Sequence, residues 1–379
     1  MKKLPEKSLK VAMVVGARPQ FVKASMLVRA LDKHRKIDTI IIHTGQHYDK
    51  NMSHIFFKEL KIKPAKYNLG IGSAAHGLQT GLMLAGIEKV LQKEKPDCVV
   101  VFGDTNSTLA GALAASKTRI EGKSSNGALR YPCIVHVEAG VRSYRKHMPE
   151  EINRTLTDRI CDIHFCPSAS AVENLKKEGI KEGLYNVGDI MYDSLIHFKK
   201  NIENRISRLS KWGLASGQYY LATVHRQCNT DVKENLKKII DILESVDKPV
   251  LFPAHPRTKK AIKALGVKFS NIRLIRPLAY FDMLLVEKNA KLIITDSGGV
   301  QKEAFYLQVP CIVLREESEW RELLDTGCNV LTGLNKRRVF EAIARVSKIS
   351  RFPSKKFYGS GSSSFKMAEI IKKKAKVGK

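Results

Sequence analysis

No stretch of this chain approaches the ~20 consecutive apolar residues that a membrane span needs, so a membrane-spanning protein is not expected. The seven cysteines (Cys98, Cys133, Cys161, Cys166, Cys228, Cys311 and Cys328) are odd in number and include no C-x-x-C pair. Several lie in apolar runs, which points to reduced, buried thiols rather than a disulfide framework or a zinc site. Acidic residues are scarce: 37 Asp and Glu stand against 66 Lys and Arg, for a formal charge of +29. The lysines are nonetheless dispersed, the dense cluster being Lys372-Lys373-Lys374-Ala375-Lys376. There is no arginine-rich run and no basic-aromatic motif of an RNA-binding sheet. The expectation is a solvated basic surface that attracts anionic substrates, with no nucleic acid and no membrane as partner. A non-enzymatic nucleic-acid binder stays as the rival from a different class. The basic start, Met1-Lys2-Lys3, lacks a signal-peptide cleavage pattern and reads as cytoplasmic.

What the chain does have is length and alternation. At 379 residues it suits two domains. Short apolar runs, read as strands, fall at Leu9–Val15, Thr39–His43, Cys98–Phe102, Cys133–Val137, His164–Cys166 and Leu184–Val187. The second half repeats the scheme at Tyr219–Val224, Pro249–Phe252, Arg273–Ile275, Leu292–Thr295 and Cys311–Leu314. Amphipathic stretches between them (Pro19–Leu31, Ser107–Ser116) predict right-handed βαβ units. The fold class expected is α/β: two doubly wound, Rossmann-like domains around a central cleft that receives the strand carboxyl ends. Residues 1–187 form the first domain and 188–360 the second, and a helix in 361–379 packs back on the first. A polar, basic helix is expected over Ile190–Leu209. The Lys117–Tyr131 stretch, with Ser124-Ser125-Asn126-Gly127 at its tip, is read as a surface insertion.

The polar motifs sit at strand ends. Thr295-Asp296-Ser297-Gly298-Gly299 leads into a helix-like run that carries Glu303. Two glycines let backbone amides approach a phosphate at a helix N-terminus, and Glu303 is placed to accept from ribose hydroxyls. A Gly-Gly turn used only for tight packing is the equal alternative. Gly16-Ala17-Arg18-Pro19 with Lys23 brings two cations to another helix start, but the turn is not G-x-G-x-x-G, so a nicotinamide cofactor is disfavoured. Asp104 follows one strand and Glu138 the next. In Pro149–Ile160, Glu150, Asn153, Arg154 and Thr157 share one face while Ile152, Leu156 and Ile160 line the other; Glu150 and Arg154 also fit a plain i,i+4 surface pair. Three carboxylates converging on one cleft would supply an acid–base reaction. His225-Arg226 and His255-Pro256-Arg257 end strands of the second half. The pairs His43/His47 and His225/His255 lack a third ligand at metal spacing, so no metal is expected.

Taken in order, Gly16-Ala17-Arg18-Pro19 with Lys23, Thr44-Gly45-Gln46-His47, Gly103-Asp104-Thr105, His136-Val137-Glu138-Ala139-Gly140, Pro149-Glu150-Glu151 with Asn153-Arg154, His225-Arg226, and Thr295–Gly299 with Glu303 resemble the non-hydrolysing UDP-N-acetylglucosamine 2-epimerases. The resemblance covers nearly the whole chain and implies GT-B architecture. It also implies C2 epimerisation of UDP-GlcNAc to UDP-ManNAc through elimination of UDP, a 2-acetamidoglucal intermediate and re-addition, with no cofactor, in a homodimer. By the same resemblance Asp104, Glu138, Glu150 and His225 are catalytic. Arg18, Lys23, Asn153, Arg154, Ser297, Gly298, Gly299 and Glu303 bind the UDP-sugar, and Gln46 and His47 serve an effector site or support the substrate site.

Departures from that pattern are specific. His225-Arg226 is followed by Gln227-Cys228-Asn229 where a Glu-Asn pair is common, and Trp320 replaces an expected arginine. Leu82 stands where bacterial members carry an arginine for a second, activating UDP-sugar. Gly188-Asp189-Ile190-Met191-Tyr192-Asp193 and Glu319-Trp320 also look like a sister group that epimerises UDP-2,3-diacetamido-2,3-dideoxyglucuronate. That substrate, a hydrolysing epimerase that releases ManNAc, and a glycosyltransferase are the rival enzymatic readings.

Overall fold

The computed structural model describes residues 8–45, 59–123, 129–349, 352–353 and 356–375. Gln46, His47 and the Ser124–Gly127 tip lie outside them. The chain divides into two compact units, Met1–Ile196 with Lys356–Lys379, and His197–Lys355. The division falls inside the Ile190–Glu203 helix.

The first unit contains β1 (Leu9–Val15), β2 (Ile37–His43), β3 (Tyr67–Asn68), β4 (Cys98–Phe102), β5 (Ile120–Lys123), β6 (Leu129–Arg130), β7 (Cys133–Val137), β8 (Ile163–Cys166) and β9 (Leu184–Asn186). Seven of these pair in parallel in the order β3-β2-β1-β4-β7-β8-β9. Strands covered on both faces read as unbroken apolar runs, and Val11–Val15 of β1 and CVVVF of β4 are such runs, buried throughout. The Asn106–Lys117 helix approaches the sheet closely because it is built from Ala and Gly: a Cβ on Gly111 would lie 2.9 Å from Val101 and 3.2 Å from Val14.

In the second unit β10 (Tyr220–Thr223), β11 (Val250–Pro253), β12 (Ile272–Ile275), β13 (Leu292–Thr295), β14 (Cys311–Val313) and β15 (Asn329–Leu331) pair in parallel in the order β12-β11-β10-β13-β14-β15. One face is covered by Leu236, Ile239, Ile240 and Leu243 of the Lys233–Glu244 helix and by Val339, Ile343 and Val346 of the Lys336–Val346 helix. Burying each such Leu or Ile fully contributes about 1.5–3 kcal/mol.

The α/β class with two doubly wound units is the one the sequence implies. In each unit the strand order reverses once, between β1 and β4 and between β10 and β13. Ligands of such sheets bind outside the strand carboxyl ends at that reversal. Gly16–Arg18 and Gly103–Asp104 follow β1 and β4; Val224–Arg226 and Asp296–Gly299 follow β10 and β13. Both motif sets therefore occupy switch points.

Three details differ from the sequence reading. The Lys117–Tyr131 insertion contains an antiparallel pair, β5 with β6. The helix expected over Ile190–Leu209 stops at Glu203 and continues as a 3-10 turn over Ile206–Trp212, where Arg205 and Arg208 both pair with Asp282 (3.0 and 2.9 Å). The strands Tyr67–Asn68 and Asn329–Leu331 are too short to show a period. The final helix, Ser363–Lys374, lies against the Arg18–Leu31 helix, with Glu369 3.2 Å from His34. Asp193 caps it, accepting from the Ser363 and Ser364 amides at 3.1 and 2.7 Å. The cysteines are unpaired, five of them buried, with Cys133 half-buried and Cys228 exposed. No described helix is long and apolar enough to cross a membrane.

Candidate active site

At the carboxyl edge of the first sheet the charged groups are bonded to one another. Lys23, on the second turn of the Arg18–Leu31 helix, is buried and places Nζ 2.7 Å from Glu138 Oε1. Read from the sequence as a phosphate cation, it faces a carboxylate. Glu138 follows β7 with φ +75°. A Cβ on Gly103 would lie 3.4 Å from Lys23 Nζ and 3.6 Å from Glu138 Oε1, so this pair adjoins the turn that carries Asp104. Asp104 Oδ2 in turn accepts from Arg154 Nη2 at 2.5 Å, and its carbonyl accepts from Asn153 Nδ2 at 2.9 Å.

Arg154 overturns the surface-pair alternative. Its partners are Asp104 and Glu151 (2.9 Å), and it is buried. The Pro149–Ile160 helix is inverted in polarity: Glu151, Asn153, Arg154, Thr157 and Asp158 are buried, whereas Ile152 and Leu156 are 45% and 46% exposed. The polar face turns inward because it has partners there. Glu151 accepts from the Ser143 and Tyr144 amides, each at 2.9 Å. Burial pushes its carboxyl up, but those amides and Arg154 hold it below the usual range. Glu150 is half-buried on the first turn of this helix, one turn before Asn153 and Arg154. Arg18 is half-buried at the start of its own helix.

Two bracing elements beneath this edge carry no signal that spacing alone reveals. Gln20 is buried; its Oε1 accepts from the Gly16 and Ala17 amides (2.7 and 3.0 Å), and its Nε2 donates to the Phe102 carbonyl and Thr105 Oγ1 (2.7 and 2.9 Å). It thereby joins the turns after β1 and β4. The other is a buried ionic cluster. His136 Nδ1 lies 2.6 Å from Asp158 Oδ1 and Nε2 lies 2.7 Å from the Gly103 carbonyl. The ring thus bridges the two through its two nitrogens. Asp158 Oδ2 takes Arg142 at 2.7 Å and the Gly140 amide at 3.1 Å. Burial acts to raise the Asp158 carboxyl, but His136 and Arg142 outweigh it and hold it at about 2.

The second unit's edge is arranged differently. Asp296, fully buried after β13, accepts from the His225 and Arg226 amides (3.1 and 3.0 Å) and from Asn229 Nδ2 (2.9 Å). His225 Nδ1 lies 3.1 Å from Asp296 Oδ1, while the imidazole itself is 59% exposed. Asp296 thus fixes one ring nitrogen and presents the other outward. Burial pushes the Asp296 carboxyl up; His225, Asn229 and the Arg226 amide hold it below its ordinary value. Asp296 is the functional candidate that motif reading passed over, although a strand-end carboxylate beside Ser-Gly-Gly was the available signal.

Ser297 caps the Gly298–Tyr306 helix, its hydroxyl accepting from the Val300 amide at 3.4 Å. Packing does not require the two glycines. A Cβ on Gly299 would meet only Ser297 Oγ at 3.9 Å, and one on Gly298 would sit at ordinary contact, 3.5 Å or more, with Glu319 and Trp320. Neither has a positive φ. The tight-packing alternative therefore fails, and the open turn is suited to a ligand. Trp320 stands in for the arginine expected there. It is buried, donates Nε1 to the Gly298 carbonyl at 2.9 Å, and has Lys302 Nζ 4.1 Å over its ring. A guanidinium still reaches the turn: Arg315, bidentate on Glu319 at 2.8 and 3.0 Å, lies 4.0 Å from the Gly298 Cβ position. Glu303 is half-buried on the same helix.

His43 and His255, weighed above as metal ligands, have other partners. His43 is buried against Phe21 (ring centroids 5.0 Å apart), and burial lowers its pKa to about 4. His255 accepts from the Arg257 amide at 3.3 Å as a helix cap, and Arg257 pairs with Asp231. Among the described residues no three His, Cys, Asp or Glu side chains cluster as metal ligands. Leu82 is half exposed on the His76–Glu94 helix.

Comparison with known proteins agrees with this geometry. The UDP-N-acetylglucosamine 2-epimerase family model matches residues 29–372. A UDP-N-acetylglucosamine 2-epimerase homolog of Methanococcus maripaludis is 48% identical over 96% of this chain and 99% of its own. The UDP-2,3-diacetamido-2,3-dideoxy-D-glucuronate 2-epimerase of Pseudomonas aeruginosa is 43% identical over 96% of this chain and 100% of its own. Among solved structures, the UDP-GlcNAc 2-epimerase of Methanocaldococcus jannaschii in complex with UDP-GlcNAc and UDP superposes with a TM-score of 0.87 at 43% identity, covering 96% of this chain and 100% of that one. That of Neisseria meningitidis bound to UDP-GlcNAc reaches 0.84 at 28% identity, with the same coverage. A family model over most of the chain, relatives matched nearly end to end and two polar switch points of the expected composition lead to one conclusion: the chain belongs to the UDP-N-acetylglucosamine 2-epimerase family.

Proposed function

We propose that the protein interconverts UDP-N-acetylglucosamine and UDP-N-acetylmannosamine by reversible inversion at C2, without net hydrolysis. One observation carries the reading. An open Ser297–Gly299 turn beside an aspartate-held histidine occupies one sheet's switch point, and Asp104 occupies the other's, with Glu138 at the end of the next strand.

C2 of the sugar has no adjacent carbonyl, so removing its proton alone would leave an unstabilised carbanion. The proton leaves instead as the anomeric C1–O bond breaks, the bond's electron pair departing with UDP, and 2-acetamidoglucal forms. In the return step a diphosphate oxygen of UDP attacks C1 while C2 gains a proton on the opposite face. Electrons and protons close without an oxidant, so no redox cofactor is needed. Asp104, Glu138 and Glu150 supply the carboxylates that move the proton and stabilise positive charge at C1. Lys23 serves this step by holding Glu138 in place, and Asn153 and Arg154 by fixing Asp104. Arg18, His225 and the Ser297, Gly298 and Gly299 turn hold the departing diphosphate, where helix-start amides suit an anion; Glu303 holds the ribose.

An NMR time course in heavy water tests this. UDP-GlcNAc should equilibrate with UDP-ManNAc, with deuterium at C2 of both. Recovery of both sugars without label sinks the proposal, and accumulation of free ManNAc with UDP makes the enzyme hydrolysing. Turnover of the diacetamido-uronate alone assigns the substrate of the Pseudomonas relative. UDP release only on addition of an acceptor makes it a transferase, and salt-sensitive nucleic-acid binding without turnover removes enzymology altogether.

We further read the protein as a homodimer. Leu78 and Leu82 of the His76–Glu94 helix and Ile152 and Leu156 of the Pro149–Ile160 helix are exposed. The two helices flank Asn106, which bonds Gln79 on one side and Asn153 on the other. Large apolar side chains left exposed on both helices suit a second copy, and sedimentation of the Leu82→Glu variant as a monomer is the expected outcome.

A further inference from the structure

We propose that the buried His136–Asp158 pair is a positioning element that sets the separation of Asp104 and Glu138; this rests on reading those two as carboxylates of the reaction. β4 and β7 run parallel with Phe102 opposite Val137, so the residues after them leave adjacent strands at one level. The backbone then enters left-handed conformations at Gly103 (+64°), Glu138 (+75°) and Gly140 (+77°). Glu138 has a Cβ, and it occupies that region only where surroundings over-determine it.

The His136 ring supplies the constraint. Nε2 holds the carbonyl of Gly103, the residue before Asp104, at 2.7 Å, and Nδ1 holds Asp158 at 2.6 Å. Asp158 closes the loop from the other side, taking the Gly140 amide at 3.1 Å, two residues after Glu138, and Arg142 at 2.7 Å. Imidazole and carboxylate are both fully buried, so water cannot replace either bond. Each turn is therefore tied to one rigid ring, and Gln20 clamps the Asp104 turn from its other side through Phe102 and Thr105.

Stability alone does not account for the pair. Desolvating an ionic cluster is costly, and an apolar residue in its place often holds a core as well or better. The neighbouring strand positions Ile134, Val135 and Val137 are such residues. An imidazole at position 136 bonds through two nitrogens at once, a geometry that an apolar side chain lacks.

The test uses His136→Gln and Asp158→Asn, with Glu178→Gln as control. Glu178 is the outer partner of Arg142, at 2.7 and 2.8 Å, and touches neither turn. Folded His136→Gln is expected to lose about 100-fold in kcat while KM and UDP affinity stay within about threefold, the pattern of misplaced reacting groups. Glu178→Gln is expected to lower Tm while keeping kcat. Wild-type turnover in the same series separates the two readings: a wild type inert toward UDP-sugars removes the function itself. An active wild type with His136→Gln at normal kcat overturns this proposal. Equal loss in Glu178→Gln, or failure of both substituted pair members to fold, assigns the cluster to stability and overturns it too.

Discussion

The two carboxyl edges use charge in opposite ways. At the first unit's edge the charged groups described above face one another: Lys23 and Glu138, Arg154 with Asp104 and Glu151, and Asp158 with His136 and Arg142. In the second, buried Asp296 and the Arg315–Glu319 pair lie beneath an exposed imidazole and an open glycine turn. The first arrangement holds charges at fixed positions before anything binds, as an edge that stabilises a fleeting state must. The second leaves surface for a ligand to occupy. Under the proposed function, chemistry falls to the first edge and affinity to the second, and substitutions on each should have separate signatures.

The largest effect is expected at the first edge. Asp104→Asn and Glu138→Gln should lower kcat by ~10³-fold, the range of a lost acid–base group, with UDP affinity nearly unchanged. Glu138→Gln carries a second consequence, because it leaves the buried Lys23 ammonium without its carboxylate; removing one partner of a buried pair costs ~3–5 kcal/mol. Steady-state kinetics, UDP calorimetry and thermal unfolding separate these effects. Comparable losses of UDP affinity would break the division of labour.

Next comes the second edge. Asp296→Asn should lower kcat/KM by on the order of 10²-fold, because the amide no longer fixes the His225 tautomer. UDP affinity should fall with it, unlike at Asp104. The pH sign follows from its lowered carboxyl: the stability Asp296 contributes is present above the unfolded carboxylate range and lost as pH falls through the folded value. Asp296→Asn should therefore flatten acid unfolding, as measured by circular dichroism from pH 5 downward.

Much of this was legible beforehand, for a physical reason. Strands buried on both faces must be apolar runs, so Leu9–Val15 and Cys98–Phe102 announced themselves, and residues following such strands fall at the sheet's carboxyl edge. What stayed hidden was the partner of each group. Lys23 resembles any helix-start cation until its helix is docked and Glu138 lies 2.7 Å away. The Pro149–Ile160 helix misleads outright, because its exposed residues are Ile152 and Leu156 and its buried ones include Arg154 and Asp158. Periodicity gives the two faces but not which one faces in. Asp158 and Gln20 matter through contacts 22 and 82 residues away in sequence, beyond the reach of any local pattern.

A smaller effect sharpens the contrast at the glycines. Gly299→Ala adds a methyl with a single neighbour, Ser297 Oγ at 3.9 Å, so Tm should hold. If a diphosphate approaches those amides, the same methyl stands in its way, and UDP affinity should fall roughly tenfold, about 1.4 kcal/mol. A variant with unchanged UDP binding would show that the open turn serves something else.

The smallest expected effect lies away from either reaction and sets the two units against each other once more. Asp158 is a buried carboxyl with a full set of partners. Glu287, on the Tyr280–Asn289 helix, is fully buried with no hydrogen-bond partner at either oxygen. Burial, and then the charge of Glu303, push its carboxyl well above the usual range. The two must therefore act in opposite pH directions. Asp158, held at about 2, contributes stability that is present above the unfolded carboxylate range and lost as pH falls toward 2. Glu287 contributes stability that is complete below that range and lost as pH rises toward its raised folded value. Glu287→Gln keeps the shape without a proton to lose, so its Tm should match wild type near pH 4 and exceed it near pH 8. For a unit of this size each kcal/mol recovered is worth roughly 2–4 °C. Equal Tm values at both pH values would mean that Glu287 finds a partner in solution, and the second unit would then treat its buried charge as the first one does.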